Sequence, residues 1–382
     1  MAAGSSDHRS VHWHRGIEMG TDTDNNEKNL RRLPIDCLWE GLIIKDNIYN
    51  HTGETLLLPK GEQLTADTIR RLYNFNKGDQ NIMIYEEVYY DILTDEHISP
   101  QVRQKLTESS SGYSKLAQNV GGMLHHVDAW LQNDQLEQLV QEISDKLVAI
   151  DPVTIFSCIN FPRPMDEGLQ RHSLNVAYMN GMMGRWLELP EKDIRTLVMA
   201  GLLHDIGKTK IPEEILNANR QLTPEELEVM KQHPVYSYEM LGEQFDEVIR
   251  DTVRHHHEKL NGQGYPDGLR EEQISLYTRI TSLSDIYDAM VSERSYKGAE
   301  LPFHVFDMFY KGEFQGLDRT LVMVFLKHIR RHFVYSRVIM SDGKVAYIRY
   351  IPINDAQYPI VEQNGWVTQT DDNWYCREML TL

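Results

Sequence analysis

The stretch LVMAGLLHDIGK, residues 197–208, decides how this sequence is read. LVMAGLL is an apolar helical run that stops at Gly207, directly after a histidine and an aspartate. An aspartate carboxylate has two oxygens, so a His204–Asp205 pair at a helix end can reach two metal ions, with Asp205 between them. Lys208 lies three residues further on, about one helical turn from Asp205. A lysine that close to two cations is no ligand, and its task is to meet a phosphate oxygen. The alternative is a solvated lysine that complements the helix dipole.

Helical periodicity extends outward from this stretch over residues 150–325. Leu169, His172, Val176, Met179 and Met183 fall on one helix face, and Phe245, Ile249, Val253 and His256 on another. In LTPEELEVMKQHP, Thr223 is the N-cap, Pro224 a first-turn residue and Glu226 the partner in a capping box. TRITSLSDIYDAMVSE is a further amphipathic helix. There is no βαβ alternation and no fixed repeat, so the expectation is a mainly α fold built on a helical bundle.

Seven chemistry-bearing residues sit on or beside the apolar stripes of these helices: His172, His204, Asp205, His233, His256, His257 and Asp285. A lone histidine on an apolar face is usually a core residue with a hydrogen-bond partner. Seven such groups in one domain are different, because burying them without a cation leaves polar groups and two carboxylates poorly compensated. Divalent metals remove that cost, and a His/Asp set without cysteine favours iron or manganese over structural zinc.

The flanks differ in pattern. Residues 1–28 are polar, lack the apolar core of a signal peptide and read as a disordered tail, with His8, His12 and His14 as tail residues. Residues 29–95 alternate apolar runs with turn signals at Asn50–Gly53 and Pro59–Gly61, and TADTIRRLYNF is a short helix capped by Thr65. This reads as a small mixed α/β module with a regulatory role. Residues 96–133 read as a helical connector and 134–330 as the helical domain. Residues 331–382 read as a short β appendage, in which VYSRVIMSDGKVAYIRYIP is a hairpin turning at Asp342–Gly343.

A formal net charge of −18 repels nucleic acid and anionic membrane, so an anionic substrate has to be met by local positive charge or metal. No apolar run approaches the roughly 18–20 residues a membrane helix needs. Cys37, Cys158 and Cys376 lie far apart and read as reduced thiols of a cytoplasmic protein.

The spacing of the seven residues resembles the HD superfamily of metal phosphohydrolases. RHHHEKLNGQGYPDGL, residues 254–269, resembles the HD-GYP family within it, as do RHSLNVA, LLHDIGK, HPVYSYEML and RITSLSDIYDAMVSERSYK. The resemblance covers roughly residues 134–330, and residues 30–90 look like a module that often precedes this domain. It implies an HD-type helical bundle. It also implies hydrolysis of a cyclic dinucleotide, cyclic di-GMP or 3′,3′-cyclic GMP-AMP, to the linear dinucleotide by a metal-bridging hydroxide. The seven residues would bind the metals, and Lys208, Tyr265, Arg294 and Lys297 the substrate. The loop of Gly262, Gly264, Tyr265 and Pro266 would meet diguanylate cyclase domains.

Two departures stand out. Members with three metals carry a glutamate where this chain has Gly168, and Glu167 falls about 100° off the wanted face, so the expectation is two ions. Asn261 replaces an aspartate common in the family, and His255 has no place in the ligand set. A catalytically weak receptor or adaptor, and an HD hydrolase of other nucleotides, are the competing readings. Oligomeric state, a homodimer included, is left open.

Overall fold

The computed structural model describes residues 30–34, 43–50, 55–76, 81–85, 100–131, 134–149, 168–218, 220–292, 300–334, 336–364 and 366–380. The chain divides into two units, residues 1–90 and 91–382.

The first unit holds β1 (Leu30–Pro34), β2 (Ile43–Ile44), β3 (Ile48–Tyr49), β4 (Leu56–Leu58), α1 (Ala66–Asn76) and β5 (Asn81–Tyr85). β5 lies between β1 and β2 in an antiparallel sheet, and β3 pairs with β4. Thr65 caps α1, its Oγ1 accepting from Thr68 N at 3.2 Å. Ile44, Leu58, Leu64 and Leu72 are buried. The Asn50–Gly53 turn signal lies partly outside the described residues.

The second unit opens with α2 (Pro100–His125), α3 (Val127–Leu131) and α4 (Gln135–Ala149). It continues through α5 (Gly168–Trp186), α6 (Glu191–Leu203), α7 (Glu213–Leu216), α8 (Pro224–Met230), α9 (His233–Leu241) and α10 (Glu247–His255). The last helices are α11 (Leu276–Val291), α12 (Pro302–Lys311) and α13 (Arg319–Ile329). The fold is mainly helical, as the periodicity predicts. α5 departs from the one-faced pattern. Every residue from His172 to Gly184 is buried, because α2, α6 and α11 all pack against it. A helix buried all round belongs to the middle of a domain. α2 is part of the same core through Tyr113, Leu116, Val120 and Met123.

The helix starts follow capping chemistry. Thr223 and Glu226 form the capping box with Pro224 in the first turn, and Ser275 and Asp318 cap α11 and α13. The C-terminal region forms a five-stranded antiparallel sheet, in the order β10-β6-β7-β8-β9. Its strands are β6 (Arg337–Met340), β7 (Val345–Tyr350), β8 (Ile360–Gln363), β9 (Trp366–Gln369) and β10 (Cys376–Leu380). The β6–β7 hairpin turns at Gly343, whose φ is +80°. Val338, Ala346, Ile348 and Val361 join the helices' own core cluster. The sheet is therefore a wall of that core.

Candidate metal centre

α6 ends at the residues that opened the sequence reading. His204 closes the helix, and the chain tightens into a 3-10 turn over Ile206–Lys210. A Cβ at Gly207 would stand 2.0 Å from His233 O, so only glycine lets α9 press this closely on the turn. Gly207 N donates to Ser237 Oγ at 2.9 Å, and Ser237 Oγ donates to His204 O at 2.8 Å. These contacts bring His233 to Asp205.

The seven residues meet at one place. Asp205 Oδ2 is 3.3 Å from both His172 Nε2 and His204 Nε2, and its Oδ1 is 3.2 Å from His233 Nε2 and 3.8 Å from His256 Nε2. Asp285 Oδ1 lies 3.1 Å from His172 Nε2, and Asp285 Oδ2 lies 3.7 Å from His257 Nδ1. The ligand atoms form two groups: His172, His204 and Asp205, then Asp205, His233, His256 and His257. Asp205 belongs to both.

The tautomers follow from the hydrogen bonds. Nδ1 of His204, His233 and His256 donates to the carbonyls of Gly201, Met230 and Val253 at 2.8, 2.7 and 2.8 Å. Each carbonyl lies three residues earlier, in the last turn of a helix, where it has no intrahelical partner. His172 is in mid-helix, and its Nδ1 donates instead to Asp288 Oδ2 at 2.8 Å. In their neutral forms all four rings thus turn an Nε2 lone pair toward the centre.

Those lone pairs face one another. His204 Nε2 is 3.2 Å from His172 Nε2, and His233 Nε2 is 3.4 Å from His256 Nε2 and 3.2 Å from His257 Nε2. Two nitrogens each about 2.1 Å from one ion stand roughly 3–3.5 Å apart. Asp205 Oδ1 is buried and accepts no hydrogen bond. A buried carboxylate oxygen facing several nitrogen lone pairs fits a cation. The donor set can hold divalent metal.

Charge distribution agrees. Burial disfavours charge on His172, but the carboxylates of Asp205, Asp285 and Asp288 push its pKa up to about 10, so this position attracts positive charge. Burial raises Asp205, yet electrostatic contact with His204 and Lys208 holds it well below the usual carboxylate range. His257 is lowered by burial to about 3 and stays neutral.

Lys208 Nζ is ion-paired with Asp205 Oδ2. Tyr265 stacks on His257 with ring centroids 4.8 Å apart. Gly168 is the exposed first residue of α5 and brings no ligand atom. Arg294, Lys297 and Glu167 lie outside the described residues. Gly262, Gly264 and Pro266 lie in the loop after α10. A Cβ at Gly264 would stand 2.4 Å from Glu258 Cα, so the loop lies directly on the ligand segment.

Several roles escaped the sequence reading. Glu258 is the loop's anchor, its carboxylate accepting from the backbone N of Asp267, Gly268 and Leu269 at 2.7, 2.9 and 3.0 Å. His255 is no idle neighbour. It bridges Asp251 and Asp267 at 2.9 Å each, while Arg254 grips Asp267 with two nitrogens. Asp288 and Asn175 were also missed, though each stands three residues after a residue of the centre.

A helical domain with a buried, carboxylate-bridged His/Asp cluster defines the class. Residues 162–321 match the HD domain family. The resemblance to the HD-GYP group holds among relatives. The chain is 40% identical over 161 residues to a cyclic di-GMP phosphodiesterase of Pseudomonas aeruginosa, covering 42% of this chain and 38% of that protein. It is 39% identical over 137 residues to a cyclic di-GMP phosphodiesterase response regulator of Xanthomonas campestris, covering 35% and 36%. It is 38% identical over 130 residues to a 3′3′-cGAMP-specific phosphodiesterase of Vibrio cholerae, covering 34% and 28%. The chain thus spans well under half the length of these relatives. Among the described residues no helix is long and apolar enough to cross a membrane.

Proposed function

We propose that this chain is a metal-dependent phosphodiesterase that hydrolyses a cyclic dinucleotide, cyclic di-GMP or 3′,3′-cyclic GMP-AMP, to the linear dinucleotide in the cytoplasm. The observation that carries this reading is the Asp205 carboxylate, with one oxygen toward His172 and His204 and the other toward His233 and His256. His172, His204, Asp205 and Asp285 would hold one ion, and Asp205, His233, His256 and His257 a second. With iron or manganese bound, such a centre supplies a water acidified toward neutral pH and positive charge for the phosphate oxygens.

The protein's own groups complete the site. Lys208 rests on Asp205 Oδ2 and, turned toward substrate, donates to a non-bridging phosphate oxygen. Tyr265 keeps its proton, because burial, reinforced by Asp285 and Asp205, pushes its pKa up. It offers a neutral hydroxyl and a ring face beside His257. Arg294 and Lys297 follow α11 in sequence and add positive charge. Water adds across one 3′–5′ phosphodiester, one ribose–oxygen bond to phosphorus breaks, and that oxygen takes the proton. The loop of Gly262, Gly264, Tyr265 and Pro266 is held from inside by Glu258 and is in our reading the face offered to a diguanylate cyclase domain.

The test is anaerobically purified, iron- or manganese-loaded protein offered both dinucleotides. Linear product is expected from wild type and none from Asp205→Ala. Both dinucleotides left intact by metal-loaded wild type overturns the reading.

A further inference from the structure

One residue far from the motif set reaches the centre through hydrogen bonds. Tyr113 lies on α2, before the matched segment 162–321. Its hydroxyl donates to Asn175 Oδ1. Asn175 Nδ2 donates to Asp288 Oδ1 at 2.6 Å, and Asp288 Oδ2 accepts from His172 Nδ1 at 2.8 Å. Tyr113, Asn175, Asp288 and His172 are all at least nine-tenths buried. The chain of contacts joins α2, α5 and α11.

Each link has one direction. A carboxylate only accepts, so Asp288 fixes the proton on Nδ1 of His172 and leaves Nε2 free for the centre. Asn175 presents its NH2 to Asp288 only if its carbonyl oxygen points the other way, toward Tyr113. A tyrosine hydroxyl donating there rewards that orientation of the amide. With phenylalanine at 113 the amide oxygen loses its buried donor, and the flipped amide sets an oxygen against the carboxylate. The ring of Tyr113 is held separately, stacked with Tyr178 at 6.3 Å and with Arg171 over it at 5.6 Å. The hydroxyl can therefore be removed while the packing stays.

We infer that Tyr113 is a positioning residue for the His172 group of the centre, acting through Asn175 and Asp288, so that α2 is part of the metal site. The inference rests on the proposed metal reading. It has a consequence for regulation: any displacement of α2 that breaks the Tyr113–Asn175 contact loosens one group and leaves the other, because His233 and His256 are pinned by local carbonyls.

The test is stepwise titration of the full chain with Co2+, followed by its visible absorption, for wild type, Tyr113→Phe and Asp288→Asn. Wild type should bind in two steps. Asp288→Asn should weaken one step about 10–100-fold, the usual cost of losing a histidine's outer partner, and Tyr113→Phe the same step about three- to tenfold. The other step should be unchanged in both. A second readout is the ring-nitrogen NMR spectrum of Zn2+-loaded protein, where the Nδ1 proton of His172 should exchange faster in Tyr113→Phe. Two wild-type steps with an unaltered Tyr113→Phe overturn the inference alone. So does equal weakening of both steps together with a lowered melting temperature, which marks a merely structural role. Wild type that binds no ion at the His172 group overturns the metal reading along with it.

Discussion

The histidines of the centre are held by two different means. His204, His233 and His256 each sit where a helix ends and take their tautomer from a carbonyl three residues back. His172 sits inside α5, where the carbonyls are already used, and takes its tautomer from Asp288 on α11. The first device is local and comes with the helix end. The second depends on three helices being in register. A helix terminus is thus a ready-made holder for a metal-facing imidazole, whereas a mid-helix histidine needs a partner from elsewhere.

Asp205→Ala breaks both ligand groups at once and has the largest expected effect. Each group loses its shared oxygen, so metal affinity should fall by more than the roughly 10–100-fold that follows loss of an outer partner. Metal analysis after dialysis against a weak chelator should find less than one ion per chain, and dinucleotide hydrolysis should vanish. Two retained ions would show that the imidazoles suffice and that the carboxylate is no bridge.

Gly207→Ala strikes where α9 brings the His233 group onto the turn. Its methyl would meet His233 O at 2.0 Å, so α9 has to move away from the turn. A cost of about 1–3 kcal/mol is the usual range for overpacking a close contact. Denaturant unfolding should register that loss, and ion binding should weaken at the His233 group with the His172 group spared. An unchanged midpoint would mean that the turn yields without strain.

Glu258→Ala leaves the ligands in place and loosens the loop. Three backbone N–H groups lose a buried carboxylate, on the order of 1–3 kcal/mol of local stability. Hydrogen exchange in residues 262–269 should quicken, with α5 and α6 unaffected. Equal protection in the variant would show that Arg254 and His255, through Asp267, hold the loop unaided.

What could be read from the sequence follows the same division. The capping box at Thr223 and the Asp342–Gly343 turn are local patterns, and the structure shows both. The helix expected to stop at Gly207 ends earlier, at Leu203, and Gly207 lies within the 3-10 turn that follows. The seven residues of the centre were legible because five lie in short motifs at helix ends or beside a recognisable loop, and His172 and Asp285 lie on helices with clear periodicity. Asp288, Asn175 and Tyr113 were not, since their meaning lies in contacts between positions 62 to 116 residues apart. The place of α2 in the core was invisible for that reason, and β8 to β10 carry too few alternating residues to announce a sheet. The anchoring role of Glu258 needed the loop's path, which glycines make locally ambiguous.

A third set of histidines sharpens the comparison with the smallest effect. His328 and His332 stack on Trp186 at 5.2 and 6.1 Å, nearly parallel to it, and neither belongs to a described ligand group. Burial, with Arg331 adding to it, lowers His328 to about 4. Burial, with His328 adding to it, lowers His332 to about 3. Their unfolded value is about 6.5, so between there and pH 3–4 the unfolded chain binds more protons than the folded one. The stability these rings contribute is therefore complete above about pH 6.5 and declines as pH falls. Melting temperature measured from pH 7.5 to 4.5 should drop less steeply in the paired His328→Gln, His332→Gln variant than in wild type. Co2+ binding at pH 7.5 should be the same in both, because rings that stack face to face on an indole do not turn their nitrogens toward a common point. An altered cobalt titration would show that these imidazoles are coupled to the centre, and the separation between packing and ligating histidines drawn here would fail.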